Sequence, residues 1–217
     1  MNKVEELYIK IINLEHRKDR REESKIEFKK INIDIDIETL FHLARYEPEH
    51  GAIGCALSHS KALFEFLYNS KNEILMILED DFEFIDEANF RKTLNNILST
   101  EEPWDVFLLG HNQAIPIETT TIESVNRVIN AQTTSGYLVK RNYAPKLIKI
   151  FLESANKLNE YKKLPTPNKE LAVSIFSMDI YWKKLQLNDI FIAAVPALLK
   201  QRKSYSDIYK DVVDYKT

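Results

Sequence analysis

Cysteine and glycine are scarce in this chain of 217 residues. The single cysteine, Cys55, excludes an internal disulfide and a cysteine-based zinc cluster, and it fits a reducing compartment. The four glycines, Gly51, Gly54, Gly110 and Gly136, each fall at the boundary of a predicted helix or strand. No glycine-rich phosphate loop is present, which argues against a Mg²⁺-dependent phosphohydrolase.

Long apolar runs and a strong net charge are also missing. No run reaches the length that crosses a bilayer, and the first residues, MNKVEE, carry acids where a secretory signal would be apolar. We therefore expect a cytoplasmic protein, with peripheral contact to a membrane surface left open. With 30 basic and 33 acidic residues the net charge is -3, so binding to nucleic acid is not expected.

What the chain does contain is an alternation of short apolar runs and amphipathic segments. Strands are predicted over Tyr8–Leu14, Ile74–Leu78, Trp104–Leu109, Gly136–Val139 and Ile190–Val195, with helices between most of them. Such an alternation is typical of an α/β protein with a mainly parallel sheet and helices on both faces. The absence of internal repeats and long linkers predicts one domain over residues 1–217.

Two further segments carry weaker patterns. The apolar residues of Ile31–Ile37 alternate with polar ones, and this period of two predicts another half-buried strand. The segment Ile115–Ser124, rich in threonine and isoleucine, is predicted to be a loop.

The most informative feature is the apolar run Ile74–Leu78, which leads directly into Glu79, Asp80 and Asp81. So short a run predicts a strand buried on both faces, and ligands of open α/β sheets bind outside the carboxyl ends of the strands. Three adjacent carboxylates need water, hydrogen-bond donors or a cation to offset their repulsion, and hard oxygen ligands suit Mg²⁺ or Mn²⁺. A solvated acidic turn is the alternative that these residues leave open.

Several segments, taken in order, carry a family pattern. They are Ile12–Arg21, Gly51–Leu63 (GAIGCALSHSKAL), Ile77–Asp81 (ILEDD), Ser135–Val139, Met178-Asp179, and Gln201 followed by Ser206–Ile208. Together they resemble glycosyltransferase family 25, the group of lipooligosaccharide and procollagen galactosyltransferases. The resemblance implies a GT-A-like (Rossmann-like) fold, a UDP-sugar donor as co-substrate, and Mn²⁺ or Mg²⁺ held by the acidic motif.

The resemblance also implies roles for the acidic residues. Glu79 and Asp81 are the candidate metal ligands, and Asp80 could instead face the ribose or the uracil. Transfer with inversion needs a base that deprotonates the acceptor hydroxyl, and Asp179 is the candidate. The alternative for Asp179 is an acid at a helix N-terminus that is stabilised by the helix dipole.

The donor is expected to contact a larger set of residues. They are Asn13, Leu14, Arg17, Arg20, Ser58, His59, Asp80, Gly136, Tyr137, Gln201, Ser206 and Asp207. Arginine suits the phosphates because its planar group binds them through two hydrogen bonds. For His59 a buried core histidine, and for Tyr137 a packed strand aromatic, are equally good interpretations. Cys55 is interpreted as a small buried apolar residue.

The chain departs from the family pattern at two points. Position 52 is alanine where the family often carries glutamate, and no histidine follows His111, so a late histidine ligand is unavailable. The second departure predicts weak metal binding in the absence of nucleotide. The activity implied is transfer of a hexose, galactose or glucose, to a hydroxyl acceptor on a surface glycan or a collagen-like protein. The alternative is a catalytically degenerate member that binds a nucleotide or glycan.

Overall fold

A computed structural model describes residues 6–31, 35–206 and 211–213. The helices are α1 (Lys18–Lys30), α2 (Gly51–Asn69), α3 (Glu87–Ser99), α4 (Ala144–Lys162), α5 (Lys169–Phe176) and α6 (Met178–Tyr181), with 3-10 helices at Ile37–Leu40 and Trp182–Leu185. The strands are β1 (Leu7–Asn13), β2 (Phe41–Leu43), β3 (Ile74–Glu79), β4 (Phe82–Phe84), β5 (Val106–Leu108), β6 (Ile115–Thr119), β7 (Val125–Ile129), β8 (Gly136–Lys140), β9 (Phe191–Ala194), β10 (Leu199–Gln201), β11 (Ser204–Ser206) and β12 (Asp211–Val213).

The central sheet has eight strands in the order β2-β1-β3-β8-β5-β9-β7-β6. Strands β7 and β8 run antiparallel to both of their neighbours, whereas the other six strands share one direction. The carboxyl ends of β1, β2 and β3 therefore lie side by side at one edge. The predicted α/β class with a mainly parallel sheet is confirmed.

Strand β3 is buried because each of its faces packs on a separate hydrophobic core. Leu75 and Ile77 belong to the core that includes residues of α2 and α4. Met76 and Leu78 belong to the core on the other face, which includes residues of α1 and α3. All four side chains are at most 1% exposed, which explains why the strand reads as a continuous apolar run rather than an alternation.

One prediction about local structure was wrong, and another finds no support in the residues described. The segment predicted to be a loop contains β6, an exposed strand at the sheet edge that pairs with β7. The alternating segment Ile31–Ile37 shows no strand in its described residues; 32–34 lie outside them, and a 3-10 helix begins at Ile37. There the Asp36 side chain accepts a hydrogen bond from the Glu38 N–H, a local cap that competes with strand pairing.

Among the described helices, none combines the length and the apolar composition that crossing a bilayer requires.

Candidate active site

The acidic residues lie where β3 ends and the chain turns into β4. Glu79 is the last residue of β3, and Asp80 and Asp81 form the turn. Asp80 is only 6% exposed and Asp81 only 4%. A solvated acidic turn would leave these side chains in water, so that alternative is excluded.

Asp80 connects the turn to two neighbouring elements. The Asn13 amide, at the end of β1, donates to Asp80 Oδ2 at 2.8 Å. Arg20 Nη1, from α1, donates to Asp80 Oδ1 at 2.7 Å. Burial raises the pKa of Asp80, although Arg20 and Asn13 oppose the shift. With one donor on each oxygen, Asp80 fastens β1 and α1 to the acidic turn.

Asp81 differs because one of its oxygens lacks a partner. Oδ1 has no hydrogen-bond partner among the described residues, whereas Oδ2 lies 3.3 Å from Arg20 Nη1. Burial raises the pKa of Asp81 to about 7; Arg20 opposes this shift, and the charges of Glu79 and Asp80 add to it. A buried, unpartnered carboxyl oxygen is costly, and a bound cation would offset that cost. The side chain therefore fits the metal that the sequence predicts.

Glu79 contacts a different set of side chains. The Thr134 hydroxyl donates to Glu79 Oε1 at 2.7 Å, and His59 Nε2 lies 3.3 Å from the same oxygen. Burial alone would raise the pKa of Glu79, but the interactions with His59 and Thr134 outweigh it, and the pKa is lowered. Glu79 and Asp81 thus have different neighbours, although the sequence predicts that they share one cation.

His59 and Tyr137 support Glu79 from the core. Both side chains are fully buried, and their rings stack with centroids 5.8 Å apart. The Tyr137 hydroxyl lies 3.0 Å from His59 Nδ1. Gly136 leaves room for β10, because a Cβ there would lie 2.6 Å from Leu199 Cδ2. In this structure Tyr137 is a packed strand aromatic that reaches the site through His59.

Two cavities meet at this end of the sheet. The first, about 120 Å³, is lined by the acidic triplet, by Leu14 and Arg20, and by residues of the loop after β2 and of α2. The second, about 480 Å³, is lined by residues between 132 and 134 and between 169 and 180. Cys55, Glu79 and Gln201 line both cavities, so the two cavities adjoin at these residues. The second cavity alone falls in the range of about 300–1,000 Å³ that is usual for ligand pockets.

Asp179 lies in the second cavity, in the first turn of α6. It is half-buried, and burial raises its pKa while a hydrogen bond with the Ser177 side chain opposes the shift. The negative charge of Glu79 raises the pKa further. Asp179 and Asp81 therefore line two neighbouring cavities that share Cys55, Glu79 and Gln201.

The C-terminal segment contacts two arginines at the start of α1, Arg20 within the helix and Arg17 just before it. Arg20 Nη2 donates to Ser204 Oγ at 2.7 Å and to the Tyr205 carbonyl at 2.9 Å. Arg17 Nη1 donates to the same carbonyl at 3.1 Å. Ser206, the last residue of β11, pairs through its backbone with Asp211. The predicted donor contact Asp207 lies outside the described residues.

Two other predicted donor contacts have structural partners. Ser58 lines the first cavity, accepts from the Arg45 N–H at 2.8 Å and donates to the Gly54 carbonyl at 2.7 Å. It thereby holds the loop after β2 against α2. Gln201 Oε1 accepts from Thr133 Oγ1 at 3.0 Å, and the Gln201 side chain also hydrogen-bonds Asp81.

Sequence reasoning did not find every residue of the site. Thr133 and Thr134 precede β8 in a stretch without periodicity, and nothing in the sequence marks them. Cys55 was interpreted as a small apolar residue, but it lies four residues before His59 on α2. That spacing places two side chains on the same face of a helix and could have indicated a pair.

The fold and the site define an α/β protein with a charged cleft at the carboxyl ends of its sheet strands. A family model described as "Glycosyltransferase family 25 (LPS biosynthesis protein)" matches residues 44–161, more than half of the chain. The chain belongs to glycosyltransferase family 25, and it has the predicted GT-A-like architecture of a mainly parallel sheet flanked by helices.

Two curated relatives match part of the chain. "Putative glycosyltransferase R655" of Acanthamoeba polyphaga mimivirus is 31% identical over 123 residues, which cover 49% of this chain and 37% of the relative. "Probable inactive glycosyltransferase 25 family member 3" of Bos taurus is 30% identical over 105 residues, 45% of this chain and 17% of the relative. The matched region thus spans well under half the length of either relative.

Two solved structures resemble the fold at low identity. A glycosyltransferase involved in glycosylation of the major capsid of PBCV-1 has 13% identity and a TM-score of 0.48, covering 94% of this chain and 96% of that one. A197 from STIV has 16% identity and a TM-score of 0.48, covering 89% of this chain and 83% of that one. We draw no functional conclusion from likenesses at this level.

Proposed function

We propose that residues 1–217 act as one glycosyltransferase domain that moves a hexose, galactose or glucose, from a UDP-sugar to a hydroxyl acceptor. The observation that carries the proposal is a pair of acids, Asp81 and Asp179, that line two neighbouring cavities. Asp81 lines the first cavity and Asp179 the second, and burial raises the pKa of both. Two reactants, one in each cavity, would meet near Glu79, which lines both cavities.

The first cavity is proposed to hold the donor diphosphate. Asp81 offers the unpartnered oxygen that a divalent cation requires, and Glu79 stays the second predicted ligand. When bound, Mn²⁺ or Mg²⁺ supplies charge that stabilises the leaving diphosphate. Arg20 lines the same cavity, and with Arg17 it brings positive charge to this end of the sheet. Repositioning of Arg20 toward a phosphate would free both Asp80 and Ser204.

The second cavity is proposed to hold the acceptor. Asp179 would remove the proton of the attacking hydroxyl, and its raised pKa makes it a stronger base for that step. The lining includes Asn112, Gln132 and Thr133, which offer neutral donors and acceptors suited to sugar hydroxyls. The family description names lipopolysaccharide biosynthesis, which supports a surface glycan over a collagen-like protein as acceptor.

A non-catalytic binding protein is the second candidate. It is supported by the name of the Bos taurus relative, which describes an inactive family member. It is also supported by Asp80, whose two oxygens are occupied by donors from within the chain. Such a protein would bind UDP or a glycan without turnover.

The release of UDP distinguishes the two candidates. We would measure UDP formed from a panel of UDP-sugars with Mn²⁺ and glycan acceptors, for the wild type, Asp81→Asn and Asp179→Asn. The proposal predicts turnover for the wild type, loss of at least 100-fold in each variant, and UDP-sugar binding retained in Asp179→Asn. Glu83→Gln is the matched control, because Glu83 is a half-buried acid of β4 that pairs with Lys200 at 3.3 Å.

Two results would contradict the proposal. If the wild type binds UDP-sugars but turns over none of the panel, the binding protein is favoured. If Asp81→Asn turns over as fast as the Glu83→Gln control, Asp81 has no part in the reaction.

A further inference from the structure

A second group of possible metal ligands lies beside the acidic turn and shares only Glu79 with the proposed site of the donor cation. Among the described residues, Cys55, His59 and Glu79 bring a thiol sulphur, an imidazole nitrogen and a carboxylate oxygen within 4.8 Å of one another. Two of the three come from successive turns of α2 and the third from the end of β3. Covalent structure thus holds the first two on one helix face, and the sheet fixes the third.

The state of His59 points to a ligand. The ring is fully buried, yet Nε2 has no hydrogen-bond partner among the described residues, although it lies 3.3 Å from Glu79 Oε1. The other ring nitrogen, Nδ1, is 3.0 Å from the Tyr137 hydroxyl. A histidine that binds a metal through one nitrogen commonly has the other fixed by a hydrogen bond. His59 has that arrangement.

We propose that Cys55, His59 and Glu79 bind Zn²⁺. In a tetrahedral site with Zn–N and Zn–O bonds of about 2.0–2.2 Å, the nitrogen and oxygen ligands lie roughly 3.4 Å apart. The separation of 3.3 Å between His59 Nε2 and Glu79 Oε1 matches that geometry. All three ligand atoms lie within 4.8 Å of one another, so the sulphur reaches the set through a rearrangement of the Cys55 side chain.

The choice of zinc follows from the ligand atoms. A thiolate with an imidazole and a single carboxylate favours Zn²⁺, whereas Mn²⁺ and Mg²⁺ favour oxygen ligands. Binding converts the Cys55 thiol to a thiolate and releases its proton to solvent. The thiol now lies 3.6 Å from the Met178 thioether, and this weak contact is the one that binding would replace.

Three protein ligands leave a fourth position, as in open zinc sites. Because Cys55 and Glu79 line both cavities, that position would face their junction. Its occupant would be an oxygen ligand, either water or a hydroxyl of a molecule in the cleft. Glu79 belongs to both sets of ligands, so with zinc bound the donor cation would be held by Asp81 without Glu79. Zinc binding itself does not depend on the proposed transferase activity.

Cobalt substitution tests the site directly, because Cys55 is the sole cysteine of the chain. Co²⁺ added to chelator-treated protein should produce a sulphur-to-cobalt charge-transfer absorption, and one equivalent of Zn²⁺ should abolish it. Cys55→Ser should show no such band. Zinc affinity, measured by competition with a chromophoric chelator, should fall at least 100-fold in Cys55→Ser and His59→Gln.

Two controls separate a metal site from a fold defect. Met178→Leu removes the neighbouring sulphur but none of the ligands, so zinc affinity should stay within about twofold of the wild type. Circular dichroism and thermal unfolding verify that Cys55→Ser is folded. The proposal is overturned if Co²⁺ binds the wild type without the charge-transfer band, or if folded Cys55→Ser binds Zn²⁺ as tightly as the wild type. A purely structural His59–Glu79 contact would give that second result.

Discussion

At the scale of single residues, the clearest consequence concerns Asp81. Burial of its charge destabilises the folded chain, and a bound cation would offset that cost. The pKa of Asp81 is about 7 in the folded chain against 3.8 for an ordinary aspartate. Between these values the folded state binds the proton more tightly than the unfolded state. The free energy of unfolding that this group contributes therefore falls as the pH rises toward 7 and is lost above it.

Asp81→Asn should consequently stabilise the protein while it removes activity. At pH 8, in chelator, we expect the free energy of unfolding of the variant to exceed that of the wild type by about 2–4 kcal/mol, since each pKa unit corresponds to about 1.4 kcal/mol. At pH 4 the difference should nearly vanish, because the wild-type carboxyl is then largely protonated. Denaturant unfolding at the two pH values measures this. An equal difference at both pH values would show that the pKa of Asp81 is not raised in the folded state.

Asp179 gives a prediction of a different kind, because its role is in a proton transfer. If it is the base, Asp179→Asn should lower kcat by about 10²–10⁴-fold with little change in KM for the UDP-sugar. At saturating Mn²⁺ and UDP-sugar, where Asp81 is held as a carboxylate by the metal, the wild-type kcat should fall at low pH as Asp179 is protonated, and the residual kcat of the variant should lack that acid limb. Steady-state kinetics across pH measure both effects. A variant that melts and loses donor binding would instead assign Asp179 to the structure.

At the scale of elements, one side chain of α1 contacts both the acidic turn and the C-terminal segment. Arg20 contacts Asp80, Asp81, Ser204 and the Tyr205 carbonyl, with its side chain 11% exposed. Arg20→Gln leaves a buried carboxylate without its charge partner, and such losses cost about 3–5 kcal/mol. Arg21→Gln is the matched control, because Arg21 is 40% exposed and lies 3.6 Å from Glu38.

Thermal unfolding at neutral pH should therefore separate these two variants by several degrees. Equal melting temperatures would mean that Asp80 takes another partner or a proton once Arg20 is gone.

Helix α2 and the loop after β2 are packed too closely for a side chain at position 54. A Cβ on Gly54 would lie 2.5 Å from the Arg45 carbonyl oxygen, a backbone atom of that loop. Gly54→Ala should cost about 1–3 kcal/mol and displace the wall of the first cavity, so UDP should bind more weakly. Lys61→Ala, on the exposed face of the same helix, should stay within about 0.5 kcal/mol. Denaturant unfolding and UDP calorimetry test the pair, and unchanged UDP affinity in Gly54→Ala would exclude this loop from the nucleotide site.

Patterns within one element predicted these local features well. The burial of β3 and the position of the acids after it are predictable because the pattern that indicates them lies in consecutive residues. Around Ile37 an Asp36 cap competes with the period-two pattern that predicts a strand, and β6 was missed because its residues are exposed on both faces. The pairing of Thr134 with Glu79 spans 55 residues and depends on the sheet order, which no local pattern carries.

At the scale of the whole molecule, the sheet order explains how separate motifs form one site. Strands β1 and β3 are neighbours, and β8 lies beside β3, so Asn13, Glu79 and residues 133–135 converge at one end. The family resemblance grouped most of these segments from sequence. It did not reveal that Asp81 and Asp179 line different cavities, because that depends on where α6 packs relative to the acidic turn.

The central claim is that Asp81 holds a cation together with the donor diphosphate. Its most direct test is the binding of Mn²⁺, followed by the paramagnetic resonance signal of the free ion, with and without UDP, in the wild type and in Asp81→Asn. We predict that Mn²⁺ binds the wild type weakly without UDP and at least tenfold more tightly with UDP. In Asp81→Asn, UDP should bring no gain beyond the Mn²⁺ that free UDP binds. An equal gain in both proteins would contradict the claim.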